Sequence, residues 1–223
     1  LGVGGRASSA AGGQPGGSAR INIGFMVYSD NSIVDYQGLN CGVSDGGCLV
    51  YPLAPMSGSA RQDMLNWITT WGAGYNIKGN TERVGATMQE AWAYYAGKQG
   101  LSGRNYASIQ PATGCQKNFI IFIGNSYSAS GSPGDGGSAS PASALSAAYS
   151  PSTTPPRILG TLNTSCGSFT FPTSAVHESG GFYGDEWTRF MRNTDIFTVS
   201  SGEQSITTYT VGVLGASCQA SYA

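Results

Sequence analysis

The sequence predicts an α/β fold, a layered sheet with helices packed on it. Three observations carry this. Residues 119 to 123, "FIIFI", form a short apolar run ended by Gly124-Asn125-Ser126. Such a run reads as a strand buried on both faces, as in a parallel sheet. Helical spacing over 57–71 and 80–98 precedes it, and a third helical stretch, 184–195, comes after it. Strands alternating with helices imply an α/β layered sheet. At 223 residues, one domain is the simplest reading, although two small ones also fit.

Taken in order, the opening "LGVGGRASSAAGGQPGGSAR" reads as a flexible Gly/Ala/Ser segment without a core, and 1–18 are set apart from the domain at 19–218. "ARINIGFMVYSD" is the first strand, with Ile21, Ile23, Phe25 and Val27 on one face and Gly24, Met26 and Tyr28 on the other. "GGCLVYPL" (46–53) is a second strand, placed at an edge because Pro52 cannot donate to a central ladder. In 57–71, Ala60, Met64, Trp67, Ile68 and Trp71 recur at helical spacing, and Gly72 and Gly74 stop the helix. In 80–98, the buried stripe is Val84, Met88, Ala91, Trp92 and Tyr95, with Asn80 or Thr81 as N-cap and Gly97 near the end.

The apolar strand 118–124 follows. Residues 126–156 are dominated by Ser, Gly, Ala and Pro, too long for an ordinary connection, and read as an insertion or mobile loop. "PASALSAAY" within it suggests a short helix, and "RILGTL" (157–162) a brief strand. The helix at 184–195 turns Trp187, Phe190 and Met191 inward and opens with Asp185 and Glu186. "QSITTYTVGVL" (204–214) is a β-branched strand.

Charged residues make up only 10% of the chain and the net charge is −1, which gives no basis for broad nucleic-acid or anionic-membrane binding. Few charges and many small polar residues suit a secreted or surface-assembled protein. No apolar run approaches a membrane span. Cys41 and Cys48 flank the turn-rich "GVSDGG", so a disulfide closing that loop is expected, in an oxidising compartment. Cys115, Cys166 and Cys218 are left unassigned, and the odd number implies a free thiol or a partner outside the chain.

His177 is the only histidine, in "SAVHESGG" beside Glu178, with no nucleophile motif near it. Asp185 and Glu186 sit where a helix N-terminus favours negative charge and need no catalytic explanation. No phosphate loop appears, since "GVGG" lacks the following lysine. The residues therefore suggest no enzyme.

Five stretches in order carry a resemblance: "INIGFMVYSD", "GGCLVYPLAPMSGSARQDMLNWI", "GNTERVGATMQEAWAYYAGK", "CQKNFIIFIGNSYS" and "DEWTRFMRNTD…SITTYTVGVL". Together they resemble the N-terminal region of PilY (PilC) proteins, the tip-associated adhesins and assembly factors of type IV pili, over roughly residues 19–214. The resemblance implies a doubly wound, three-layer, Rossmann-like sheet of the von Willebrand factor A type. It also implies an extracellular adhesion and assembly module at a pilus tip, with roles in attachment and twitching motility. The implied partners are minor pilins or other tip components, a host or abiotic surface, and the remainder of a longer chain; nucleic acid is not among them.

That fold opens with a central strand ending in D-x-S-x-S, which holds a divalent ion. Asp30-Asn31-Ser32-Ile33-Val34 imitates the start of the motif, but Val34 has no side-chain oxygen. The expectation is that the central strand lies in a segment outside this sequence, which leaves the sheet incomplete here. Where the metal-binding form has Thr-Asp-Gly, this chain has Gly124-Asn125-Ser126. Asn125 offers a neutral oxygen in place of a carboxylate, and Thr81 matches the family's metal-loop threonine, although a plain N-cap role explains it equally well. Thr81 and Asn125 are thus a degenerate site for Mg²⁺ or Ca²⁺, binding weakly or not at all. Two other readings remain open: an extracellular hydrolase on a similar α/β scaffold, and a tip scaffold with no ligand of its own.

Overall fold

The structure is a computed structural model that describes residues 2–7, 21–28, 34–41, 46–56, 58–69, 84–111, 117–125, 160–164, 167–171, 184–197 and 202–213. It is mixed α/β. In chain order the elements are β1 (Gly2–Ala7), β2 (Ile21–Tyr28), β3 (Gly47–Pro55), α1 (Gly58–Thr69), α2 (Val84–Ala96), β4 (Lys117–Asn125), β5 (Gly160–Thr164), β6 (Gly167–Phe171), α3 (Gly184–Asn193) and β7 (Ile206–Val213). One sheet runs β3-β2-β1-β4-β7, and β5 pairs with β6 in a separate antiparallel ribbon. The long segment 126–156, with its suggested helix, lies outside the described residues.

β3 takes the edge, where Pro52 costs no central hydrogen bond. β4 and β7 pair in parallel from Asn118↔Ile206 to Asn125↔Val213. α3 packs against α2 and β7, as the covering helix of a parallel crossover does.

Two expectations about the centre of the sheet are corrected. Gly2–Ala7, read as part of a flexible segment, is β1. It occupies the slot that was expected to be filled from outside the chain, and it runs antiparallel to both β2 and β4. The physical reason is the backbone. The facing amides and carbonyls of β2 and β4 must find partners, and an extended strand supplies them whatever its side chains. Composition alone, with three glycines in six residues, hides such a strand.

Helices cover both faces of the sheet. On one face, Met64 and Trp67 of α1 pack on Phe25, Val27 and Val50, with the Trp67 ring 4.9 Å from Phe25 and 5.3 Å from Tyr51. α1 buries a narrower stripe than its spacing suggested, since Ile68 stays exposed. On the other face, α2 and α3 pack Met88, Tyr95, Trp187, Phe190 and Met191 on Ile120, Phe122 and Ile206. Trp92 stacks near Trp187 at 5.3 Å, and the Tyr95 hydroxyl donates to the Phe119 carbonyl at 3.2 Å. The inward residues expected for α3 are all buried.

β4 departs from the expectation of burial on both faces. Ile120 and Phe122 are buried under α2 and α3, but Ile121 is 37% exposed, and its register partner Tyr209 is 55% exposed. α1 sits over the β2–β3 half of its face, away from these residues. A uniformly apolar run reports strand propensity and burial on at least one side, not the position of a helix elsewhere in the chain.

α2 ends on Gly97 at φ +64°, with Lys98 N–H bonded to the Ala93 carbonyl at 2.8 Å, the left-handed stop that glycine adopts without strain.

Candidate functional site

At the carboxyl end of β4 the strand runs further than its apolar residues. Gly124 and Asn125 pair with Gly212 and Val213 of β7. Asn125 therefore closes an internal strand, at the sheet end where α/β proteins place their ligands. Its neighbours Gly212 and Val213 offer only backbone atoms. Thr81 and the Asp30–Ile33 stretch lie outside the described residues, as do His177 and Glu178. Val34 forms an isolated bridge with Asn40. Among the described residues no three His, Cys, Asp or Glu side chains gather. One neutral amide oxygen is a poor ligand for Mg²⁺ or Ca²⁺, which favour carboxylates. Asp185 and Glu186 are in the first turn of α3.

Charge and polarity concentrate elsewhere, beside the disulfide. Cys41 and Cys48 are joined, with Cα atoms 5.6 Å apart, and they tie the 34–41 loop to the start of β3. Asp35 in that loop is buried. Its Oδ1 accepts the N–H groups of Gln37 (2.8 Å) and Leu39 (2.9 Å), the local turn that Asp favours. Its Oδ2 meets Arg104 Nε at 2.8 Å as an ion pair, without hydrogen-bond alignment. Tyr36 N–H bonds the Leu49 carbonyl, which stitches the loop to β3.

Behind this pair lies Glu90, fully buried in the middle of α2. Its Oε1 accepts the hydroxyls of Ser102 and Tyr106, each at 2.5 Å, and its Oε2 accepts the Ser102 N–H at 2.9 Å. The Gly47 N–H also bonds the carboxyl group. Glycine makes the approach possible. A Cβ at Gly46 or Gly100 would run into the Glu90 carboxylate, and Gly46 sits at φ +101°. Burial raises the Glu90 pKa above its ordinary 4.5, against the pull of four hydrogen bonds. Burial and the Glu90 charge together raise that of Tyr106.

Glu90 has no free lone pair facing solvent, and the gap beside Tyr106, Asp35 and Arg104 is only ≈ 10 Å³, room for about one water. No substrate reaches it. The cluster is a latch that holds the 97–106 loop and the disulfide loop against α2 and β3. Sequence reasoning missed Glu90 because a helical stripe counts apolar residues. The available signal was a Glu inside an otherwise apolar helix, "VGATMQEAWAYYA", followed by a loop rich in Gly, Ser and Tyr.

Comparison with family models, characterised proteins and solved structures finds no match. Among the described residues no helix is long and apolar enough to cross a membrane, which says nothing of β-barrels.

Proposed function

We propose that the chain is an extracellular adhesion and assembly module of a type IV pilus tip, built on a doubly wound sheet of the von Willebrand factor A type. The carrying observation is the placement of the five resembling stretches. They fall on β2, on β3 with α1, on α2, on β4, and on α3 with β7, and so contribute to a single sheet and its helices. The Cys41–Cys48 bridge supports an oxidising, extracellular setting.

A module of this kind acts by contact and not by turnover. The half of the sheet formed by β4 and β7 offers suitable chemistry, because Ile121, Tyr209 and Val211 are exposed together with the Phe119 ring 5.9 Å from that of Tyr209. Contiguous exposed apolar side chains mark protein-contact surfaces. The chemistry of Asn125 makes any cation at the sheet end weak, so adhesion here does not depend on one.

Beads coated with the purified chain should adhere to epithelial layers, to glass or to immobilised minor pilins more than albumin-coated beads do. Tyr209→Asp with Val211→Asp should lower that adhesion without lowering the melting temperature, and His177→Ala should leave it intact. Adhesion equal to albumin on every target, or hydrolytic turnover lost in His177→Ala, would overturn the reading.

A further inference from the structure

The two edges of the sheet are built differently. β3 carries Pro52 and Pro55, and its register against β2 shifts twice. Its Leu49 carbonyl accepts the Tyr36 N–H of the 34–41 loop, and its Leu53 N–H donates to the Tyr94 hydroxyl. Prolines, irregular register and a covering loop are devices that keep an edge strand from pairing with another chain. β7, at the opposite edge, has none of them among the described residues. Its sequence, "ITTYTVGV", contains no proline and no charge. Its register with β4 is unbroken from Asn118↔Ile206 to Asn125↔Val213, and among the described residues no strand lies beyond it. Tyr209, Thr210 and Val211 in its middle are all exposed. A long, regular, uncharged edge is a template for a further strand.

We propose that β7 pairs antiparallel with β7 of a second copy of this chain, about a two-fold axis at Thr210, and joins the two sheets into one. The pattern of β7 itself names the occupant. A foreign strand is selected by charges or pockets along an edge, and β7 has no charge with which to select one. A two-fold contact needs a surface that complements itself. A charge near the axis would face its own like, and an uncharged strand avoids that repulsion. The net charge of −1 adds little repulsion between whole copies. With Thr210 on the axis, Tyr209 faces Val211 of the second copy and Thr210 faces Thr210. Aromatic–β-branched and Thr–Thr pairs are favourable cross-strand neighbours. Tyr209 and Val211 share the sheet face of Ile121, so pairing also sets the two exposed apolar patches side by side. That face stays open, and the dimer does not depend on what the chain adheres to.

Sedimentation equilibrium of the full chain should show monomers in balance with dimers. Thr210→Lys and Thr210→Glu each set like charges face to face across the axis, and each alone should weaken the dimer by about tenfold. Mixed in equal amounts, the two variants should recover a dimer at least as tight as that of the parent, because opposite charges then meet. A variant that merely damaged the fold would not be rescued by the other. If either variant fails to fold, Thr210→Cys replaces the pair. It should oxidise to a covalent dimer whose disulfide, by peptide mapping without reductant, joins position 210 of both copies. A parent monomeric at every concentration, or open-ended aggregates in place of a dimer, would overturn the proposal. So would a dimer indifferent to both charges, a mixture without recovery, or position 210 linked only to other cysteines.

Discussion

Replacing Glu90 probes the latch most directly, because two substitutions of similar chemistry should separate. In Glu90→Ala the carboxylate disappears while its donors stay in place. The hydroxyls of Ser102 and Tyr106 can turn elsewhere, but the N–H groups of Ser102 and Gly47 cannot. Two buried amides without acceptors cost about 1–3 kcal/mol each, so the loss is about 2–6 kcal/mol before the cavity is added. Against a usual domain stability of about 5–15 kcal/mol this is a large fraction. In urea it should lower the midpoint by about 1–3 M.

Glu90→Gln should behave otherwise. Its amide oxygen can stand at Oε2 and accept the Ser102 N–H, and its NH₂ can stand at Oε1, where both hydroxyls can reverse and accept. The same variant tests the titration. The folded pKa of Glu90 lies above 4.5, so the folded state binds its proton more tightly than the unfolded chain does. The stability this group contributes is then fully present below the unfolded pKa and falls as pH rises from about 4.5 through the folded value, at about 1.4 kcal/mol for each unit of separation. Urea melts between pH 4 and 8 should show that decline in the parent and its removal in Glu90→Gln. A Gln variant as damaged as the Ala variant, or one that keeps the parent's pH slope, would refute this account of the cluster.

Arg104→Ala should cost about 1–3 kcal/mol in urea melts, because it leaves Asp35 Oδ2 buried without its ion pair; the part-exposed Arg104 keeps the figure toward the lower end. Reducing Cys41–Cys48 should cost about 2 kcal/mol by freeing the short loop in the unfolded state. Peptide mapping without reductant should recover the two residues linked, and free thiols at both would rule the bridge out. Asn125→Asp should add the missing charge at the end of β4 and strengthen Mg²⁺ or Ca²⁺ binding in titration calorimetry. Tight binding by the unmodified chain would contradict the degenerate-site reading.

By itself the sequence determined the elements whose signal is local. The period-two pattern of β2, the Pro52 edge, the inward triad of α3 and the Gly97 stop are all legible because each depends on neighbours within one turn or one strand. The Cys41–Cys48 bridge belongs to the same class, since the six intervening turn formers can bring two thiols together locally. Long-range partners decided the remainder. β1 was hidden because the demand for it arises from the backbone edges of β2 and β4, far away in the chain. Burial on one side of β4 turned on α1 sitting over β2 and β3. Glu90 drew no notice within the apolar stripe of α2, because Ser102 and Tyr106 reach it only when the 97–106 loop returns. A buried charge is tolerated only where donors converge on it, and that convergence exists in three dimensions and in no window of sequence.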